Sequence, residues 1–235
     1  MDTTAIVLAG GLGTRLRSVV RDRPKVLATV AGRPFATYLL DQLEDAGIRQ
    51  VILSTGYLAD VFDEVLGHQY GAVELEYVHE GSPLGTGGAI KWAGRHVTTT
   101  HALVLNGDSY LGTDLGQYLD WHRRKENDVS LLLVQVLDAS RYGTVLLGHE
   151  GRVTAFLEKR PEKIPGLINA GIYAFRSEFF CKIPEGRCSL ESDVLPEWIA
   201  AHRVRGFATD APFIDIGTPE DYRRSHQFLE RSRRE

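Results

Sequence analysis

The sequence predicts an α/β protein organised on a doubly wound, mostly parallel sheet, with a smaller β-rich part in its second half. Three observations predict it. Strand-like and helical runs alternate from the N-terminus to about residue 138. The first strand-like run enters a glycine-rich loop, Gly10-Gly11-Leu12-Gly13, and a later one enters Asn106-Gly107-Asp108. In open sheets of this class ligands bind outside the carboxyl ends of the strands, so both loops are expected on one edge. The chain carries no linker, repeat or low-complexity run, so its 235 residues are expected to form one domain. Within it, a first half (about 1–138) and a second half (about 139–235) share a cleft.

The elements follow from local pattern. Ala5-Ile6-Val7-Leu8 is a buried first strand. Phe35 to Ala46 is a helix with Phe35, Leu39, Leu40 and Leu43 on one face, stopped by Gly47. Val51 to Thr55 is a strand. Ala59 to Leu66 is a short helix with Val61, Phe62 and Val65 at helical spacing. Val73 to Val78 alternates as a strand, Gly87 to Arg95 is helical, and Ala102 to Leu105 is a short buried strand. Leu115 to Lys125 is helical and Val129 to Val136 is a strand. Beyond about Asp138 the rhythm changes. Thr144 to Leu147 and Val153 to Leu157 form a hairpin around Gly148-His149-Glu150-Gly151. Leu167 to Phe175 is a strand, a helix lies around Val194 to Ala201, and short strands lie near Val204–Ala208 and Phe213–Ile216. The last helix runs from Pro219 to about Arg231, with Thr218 as its N-cap.

Composition excludes several classes. A net charge of −4 gives no reason to expect nucleic acid. Arginines cluster in the last helix but alternate with Glu230 and Glu235, as on a solvated face. The two cysteines, Cys181 and Cys188, have no zinc spacing and make no disulfide framework, which suits a reducing cytoplasm. No leader-like segment opens the sequence, and no run of about eighteen apolar residues would cross a membrane.

The first loop is the centre of the chemistry. Glycines let backbone N–H groups approach an anion without a Cβ in the way. Arg15 and Lys25 add the positive charge that a string of phosphates needs. The loop is not a Walker A loop, because no Gly-Lys-Ser/Thr follows it. It is not a dinucleotide fingerprint either: Leu16 stands where a small residue is required, and the second strand ends in Gly56-Tyr57 rather than an acid.

Other positions carry complementary chemistry. Asp108 and Asp215 each follow or end a strand beside glycine, and a divalent cation is often held by one or two carboxylates plus phosphate oxygens. Glu80 precedes Pro83-Leu84-Gly85-Thr86-Gly87-Gly88, where a helix begins among glycines. A carboxylate accepts from guanine N1–H and N2–H₂ together, whereas uracil and thymine offer one N–H on that edge. Glu158, Lys159 and Asn169 are suited to sugar hydroxyls and a sugar phosphate. Each residue alone also has an ordinary reading, as a turn, a cap or a surface ion pair.

Gly10-Gly11-Leu12-Gly13-Thr14-Arg15-Leu16 with Pro24-Lys25 resembles the signature of the sugar-1-phosphate nucleotidyltransferases, the nucleotide-sugar pyrophosphorylases. Asn106-Gly107-Asp108, Tyr142-Gly143, Glu158-Lys159, Asn169-Ala170-Gly171, Ser189-Leu190-Glu191-Ser192-Asp193 and Asp215-Ile216-Gly217 resemble further family segments, in the family's order over nearly the whole chain. The resemblance implies the nucleotide-diphospho-sugar transferase fold, which is Rossmann-like. It implies nucleotide contacts from Leu8, Ala9, Gly10, Gly11, Gly13, Thr14, Arg15, Glu80, Gly85, Thr86 and Asn106. It implies sugar-phosphate contacts from Gly107, Gly143, Glu158, Lys159 and Asn169, and Mg²⁺ on Asp108 and Asp215. Arg15, Lys25, Asp108 and Lys159 are the expected catalytic set. Glu191 and Asp193 stay between ligand contact and helix capping.

The implied substrates are a nucleoside triphosphate and a sugar 1-phosphate. Leu84-Gly85-Thr86-Gly87-Gly88-Ala89-Ile90, Val104-Leu105-Asn106-Gly107-Asp108-Ser109 and the chain length look most like the D-glycero-α-D-manno-heptose 1-phosphate guanylyltransferases, hence GTP and the heptose phosphate. Mannose-1-phosphate guanylyltransferases and short uridylyl- or thymidylyltransferases are neighbouring alternatives, and a homo-oligomer stays open. A glycosyltransferase would carry Asp-x-Asp, which Asn106 interrupts. A non-catalytic nucleotide-binding protein would have lost Arg15, Lys25 or an aspartate.

Overall fold

The computed structural model describes residues 3–11, 13–56, 58–157 and 163–232. Its first half contains β1 (Thr3–Leu8), the short hairpin β2 (Thr29–Val30) and β3 (Arg33–Pro34), α1 (Ala36–Asp45), β4 (Gln50–Thr55), α2 (Asp60–Leu66) and β5 (Gln69–Tyr70). Next come β6 (Val73–His79), α3 (Gly85–Gly94), β7 (His101–Asn106), β8 (Ser109–Leu111), α4 (Leu115–Arg124) and β9 (Val129–Val136). The second half adds β10 (Thr144–Leu147), β11 (Val153–Leu157), β12 (Gly166–Arg176), α5 (Leu195–Ala200), β13 (Val204–Thr209), β14 (Phe213–Asp215) and α6 (Pro219–Ser232).

One ten-stranded sheet runs through the molecule. Strands β7, β1, β4 and β6 are parallel neighbours. β12 inserts between β7 and β9, antiparallel to both, and β13 lies parallel on β9. The fold is therefore mixed α/β with a large, mostly parallel sheet, as the strand–helix rhythm predicts. The hairpin of β10 and β11 joins through Thr144 opposite Ile168.

The sheet is buried on both faces. Ala5 and Val7 of β1 pack with Leu39, Leu40 and Leu43 of α1, Phe62 and Leu66 of α2, Tyr118 and Leu119 of α4, and Leu229 of α6. Ile6 points the other way, into a cluster with Ile90 and Ala93 of α3 and Trp198 and Ile199 of α5. This is the period-two alternation of a strand read against two helical layers. It explains why β1 reads as an uninterrupted apolar run.

Local stops and caps agree with the sequence. Gly47 follows α1 with φ +76°. Thr218 Oγ1 accepts from the Asp221 N–H at 3.2 Å, capping α6 ahead of Pro219. The face of α2 differs from the expected one: Val65 is exposed, and Phe62 with Leu66 makes the buried pair. Cys181 and Cys188 are unpaired. Among the described residues, no helix is long and apolar enough to cross a membrane.

Two features aim the fold at one edge. The loops after β1, β6 and β7 leave the sheet at the carboxyl ends of parallel strands. The two-stranded ladder of β8 and β14 then sets Ser109 opposite Asp215, and the Ile216 N–H donates to the Asp108 carbonyl at 2.9 Å. A residue near the C-terminus is thereby brought beside the loop after β7.

Candidate active site

At that edge lies a cavity of about 430 Å³, a size suited to a small-molecule ligand. The loop after β1 forms one wall, through Leu8, Ala9, Gly10, Gly11, Gly13, Thr14 and Arg15. The opposite side comes from Glu80, Gly85 and Thr86, and the floor from Asn106, Gly107 and Asp108 beside Lys25.

Close backbone approach builds the wall. The Ala9 N–H donates to the Ser54 carbonyl at 2.8 Å, and the Gly107 N–H to the Leu8 carbonyl at 2.9 Å. A Cβ on Gly10 would stand 2.5 Å from Glu80 Oε1, so only glycine lets the loop lie on that carboxylate. Space opens at Gly11, where a Cβ would meet nothing within 4 Å.

Glu80 is buried and held. Ser54 Oγ donates to its Oε1 at 2.9 Å and the Leu84 N–H to its Oε2 at 3.3 Å. A carboxylate oxygen carries more than one acceptor site, so each keeps capacity for a further donor.

A helix begins among the glycines, as the sequence predicts. The N–H groups of Gly87 and Gly88, at the start of α3, donate to the Cys188 carbonyl at 3.0 and 3.3 Å. Two of the N–H groups at that helix end are thus taken by the chain's own backbone. Thr86 and Gly85 remain on the cavity wall.

Charge is concentrated at the floor. Lys25 Nζ lies 2.6 Å from Asp108 Oδ2, with 15% of the lysine side chain and 43% of the aspartate side chain exposed. Asp215 lies alongside through the β8–β14 ladder, and Gly217 reaches the cavity. The Tyr142 hydroxyl donates to Asp215 Oδ2, and the Gly217 N–H to Oδ1 at 2.8 Å. Burial and the Asp215 carboxylate push the Tyr142 phenol well above its usual range, so it acts as a donor. Arg141 Nη2 is 2.5 Å from the buried Asp221 and 3.9 Å from Asp215.

Among the described residues there is no cluster of three or more metal-binding side chains. Two carboxylates, Asp108 and Asp215, stand on adjoining elements with all-oxygen donors. That set fits a hard divalent cation completing its shell with phosphate oxygens and water.

The sugar-side positions are more dispersed. Asn169 and Gly143 are not on the cavity wall. Asn169 Nδ2 donates to the Tyr173 hydroxyl at 2.8 Å, and its Oδ1 accepts from the Gly171 N–H at 3.0 Å. A Cβ on Gly143 would come within 3.0 Å of the Leu157 carbonyl and the Phe156 ring. Glu158 and Lys159, expected at the end of β11, lie outside the described residues.

Several participants escape a sequence reading. Arg187 lines the cavity from the loop before α5, a position no periodicity marks. Ser54 reaches Glu80 from the end of β4, visible only once β4 and β6 are paired. Glu191 and Asp193 separate into different roles. Asp193 accepts from the Ser189 N–H at 2.8 Å, a local cap, whereas Glu191 reaches Thr86 at 2.7 Å.

Comparison with known proteins adds the following. The family model described as nucleotidyl transferase matches residues 4–232. The D-glycero-α-D-manno-heptose 1-phosphate guanylyltransferase of Aneurinibacillus thermoaerophilus is 40% identical over 227 residues, covering 96% of this chain and 98% of that protein. The mannose-1-phosphate guanylyltransferase of Mycobacterium tuberculosis is 42% identical over 231 residues, 97% of this chain and 64% of that longer protein. The crystal structure of HddC from Yersinia pseudotuberculosis superposes with a TM-score of 0.85 at 35% identity, covering 96% of this chain and 99% of that one. The same protein complexed with GMP-PN superposes with a TM-score of 0.84.

Proposed function

The chain belongs to the nucleotidyl transferase family, and from that premise we propose that it joins GTP to D-glycero-α-D-manno-heptose 1-phosphate, giving the GDP-sugar and pyrophosphate. The observation that carries the reading is the convergence, in one cavity, of the glycine loop, the Lys25–Asp108 pair and Glu80. The guanine choice rests on Glu80 as an acceptor-only edge and on relatives that are guanylyltransferases. The sugar choice rests on the relative that this chain covers almost end to end. Mannose 1-phosphate is the second reading, favoured by the 42% identity to the mycobacterial protein.

In this reading an oxygen of the sugar phosphate attacks the α-phosphorus of GTP in line. The new P–O bond forms as the bond to the bridging α–β oxygen breaks, and pyrophosphate leaves with that electron pair. The nucleophile is already an anion, so no general base is required, and catalysis is positioning plus charge stabilisation. The loop from Leu8 to Thr14 supplies backbone donors to the triphosphate. Arg15 compensates the charge that develops on pyrophosphate, and Lys25 holds the phosphates flanking the attack.

Asp108 and Asp215 would hold the divalent cation, taken as Mg²⁺, which when bound neutralises charge on the reacting phosphates. Tyr142 fixes the orientation of Asp215 for that task. We assign Gly107, Gly143, Glu158 and Asn169 to the sugar and Lys159 to its phosphate. The nucleotide half is taken as about 1–138 and the sugar half as about 139–235. The unpaired cysteines suit a reducing cytoplasm. A pyrophosphate-release assay across four nucleoside triphosphates and a panel of sugar 1-phosphates tests the proposal.

A further inference from the structure

Glu191 gathers three donors on one carboxylate. Thr86 Oγ1 donates to its Oε2 at 2.7 Å, Ser189 Oγ donates to the same oxygen at 3.0 Å, and the Tyr173 hydroxyl donates to Oε1 at 2.7 Å. The chain of bonds continues on both sides. The Leu190 N–H donates to Thr86 Oγ1 at 2.8 Å. Asn169 Nδ2 donates to the fully buried Tyr173 hydroxyl at 2.8 Å.

A carboxylate can only accept, so Glu191 fixes the direction of the bonds from Thr86, Ser189 and Tyr173. The Tyr173 proton goes to Glu191, which turns the phenol lone pairs toward Asn169. The Asn169 amide must then present Nδ2 to Tyr173 and Oδ1 to the Gly171 N–H, 3.0 Å away. The Gly171 N–H can only donate, so it sets the amide orientation from one side, and the Glu191–Tyr173 bond holds it from the other.

Glu191 is not needed as a helix cap. Ser189 Oγ already accepts from the Ser192 N–H at 3.2 Å, and Asp193 Oδ2 accepts from the Ser189 N–H at 2.8 Å. Among the described residues no cation pairs with Glu191, and its three hydrogen-bond partners there are hydroxyls. Its contacts join the cavity-wall residue Thr86, through Tyr173, to Asn169.

We propose that Glu191 and Tyr173 are positioning residues that hold the nucleotide wall and the sugar-side amide in one register, with Glu191 serving both branches and Tyr173 the sugar branch alone. This rests on the reading of Thr86 as nucleotide-facing and Asn169 as sugar-facing.

The test uses the full chain and three variants, Thr86→Val, Tyr173→Phe and Glu191→Gln. Pyrophosphate release gives KM for each substrate, and calorimetry with GTP gives nucleotide affinity without turnover. A bond to a charged group corresponds to roughly tenfold or more in binding. Tyr173→Phe is expected to raise KM for the sugar 1-phosphate about tenfold, leaving GTP affinity within about twofold. Thr86→Val is expected to do the reverse, and Glu191→Gln to weaken both.

The double variant Tyr173→Phe/Glu191→Gln should be no worse for the sugar phosphate than Glu191→Gln alone. Equal losses for both substrates in Tyr173→Phe, or unchanged constants in Glu191→Gln, overturn the proposal. Should Glu191→Gln not fold, the opposite selectivity of Thr86→Val and Tyr173→Phe decides. If the wild type releases no pyrophosphate with any sugar phosphate, it is the functional reading that fails. GTP affinity then decides alone: weakened in Glu191→Gln and unchanged in Tyr173→Phe supports the pair, and any other pattern overturns it.

Discussion

Lys25 Nζ and Asp108 Oδ2, 83 positions apart in the sequence, meet at 2.6 Å on the floor of the cavity. The pair is half open to solvent on the aspartate side, where such contacts contribute about 0–1 kcal/mol to stability. In the proposed reaction its position matters through charge on the reacting phosphates. Asp108→Ala and Lys25→Ala are each expected to lower kcat by about 10²–10³-fold. Thermal midpoints should stay within a few degrees of wild type. Normal turnover by Asp108→Ala contradicts the assignment of that carboxylate.

The contact of Gly10 with Glu80 yields a sharper prediction. A methyl group at Gly10 would collide with Glu80 Oε1 at 2.5 Å, and the carboxylate is tied to Ser54 and Leu84. Gly10→Ala should therefore raise KM for GTP about tenfold or more through a displaced Glu80 or loop. A KM within twofold of wild type would show that Glu80 does not read the base.

Base choice can be probed at Glu80 itself. Glu80→Gln keeps the shape but replaces one acceptor with a donor. We expect kcat/KM for GTP to fall about 10²-fold, with inosine triphosphate, which lacks the N2 amino group, falling less. Equal losses for the two nucleotides would remove the carboxylate from base recognition.

A pH effect on stability comes from a residue away from the site. His122 is wholly buried, its Nδ1 2.6 Å from Ser130 Oγ. Burial, with smaller contributions from the nearby His101, Arg123 and Arg176, lowers its pKa to about 3. In the unfolded chain the imidazole titrates near 6.5, so below that pH the unfolded state binds the additional proton. Stability is therefore full above pH 6.5 and is lost as pH falls toward 3. The loss between neutral pH and pH 5 is about 2 kcal/mol from this residue. Urea unfolding of wild type and His122→Leu at pH 7 and pH 5 measures it, and parallel pH dependences in the two proteins would contradict the assignment.

These predictions draw on parts of the molecule with unequal sequence signals. The loops after β1 and β7 were legible because a buried strand ending in glycine marks both a turn and a ligand edge. The face of α1 was legible because Leu39, Leu40 and Leu43 recur at helical spacing. Asp215 was legible as a candidate, yet its proximity to Asp108 comes from a three-residue antiparallel pairing too short for a periodic signal. Arg187 and the Cys188 carbonyl reach the site through a loop, where chain path rather than pattern decides position. The helix opening at Gly85 was legible from its glycines, but the bonds from the Gly87 and Gly88 N–H groups to the Cys188 carbonyl, about a hundred residues on, were not, because no local pattern marks so distant a partner.

In the proposed function one site serves a guanine nucleotide and a heptose 1-phosphate. Pyrophosphate release measured with Mg²⁺, each of four nucleoside triphosphates, and a panel of sugar 1-phosphates including the heptose and mannose forms tests it most directly. Release is expected with GTP and D-glycero-α-D-manno-heptose 1-phosphate, at a kcat/KM well above every other pair. Release confined to UTP or dTTP would contradict the role given to Glu80, and no release with any pair would contradict the proposed reaction.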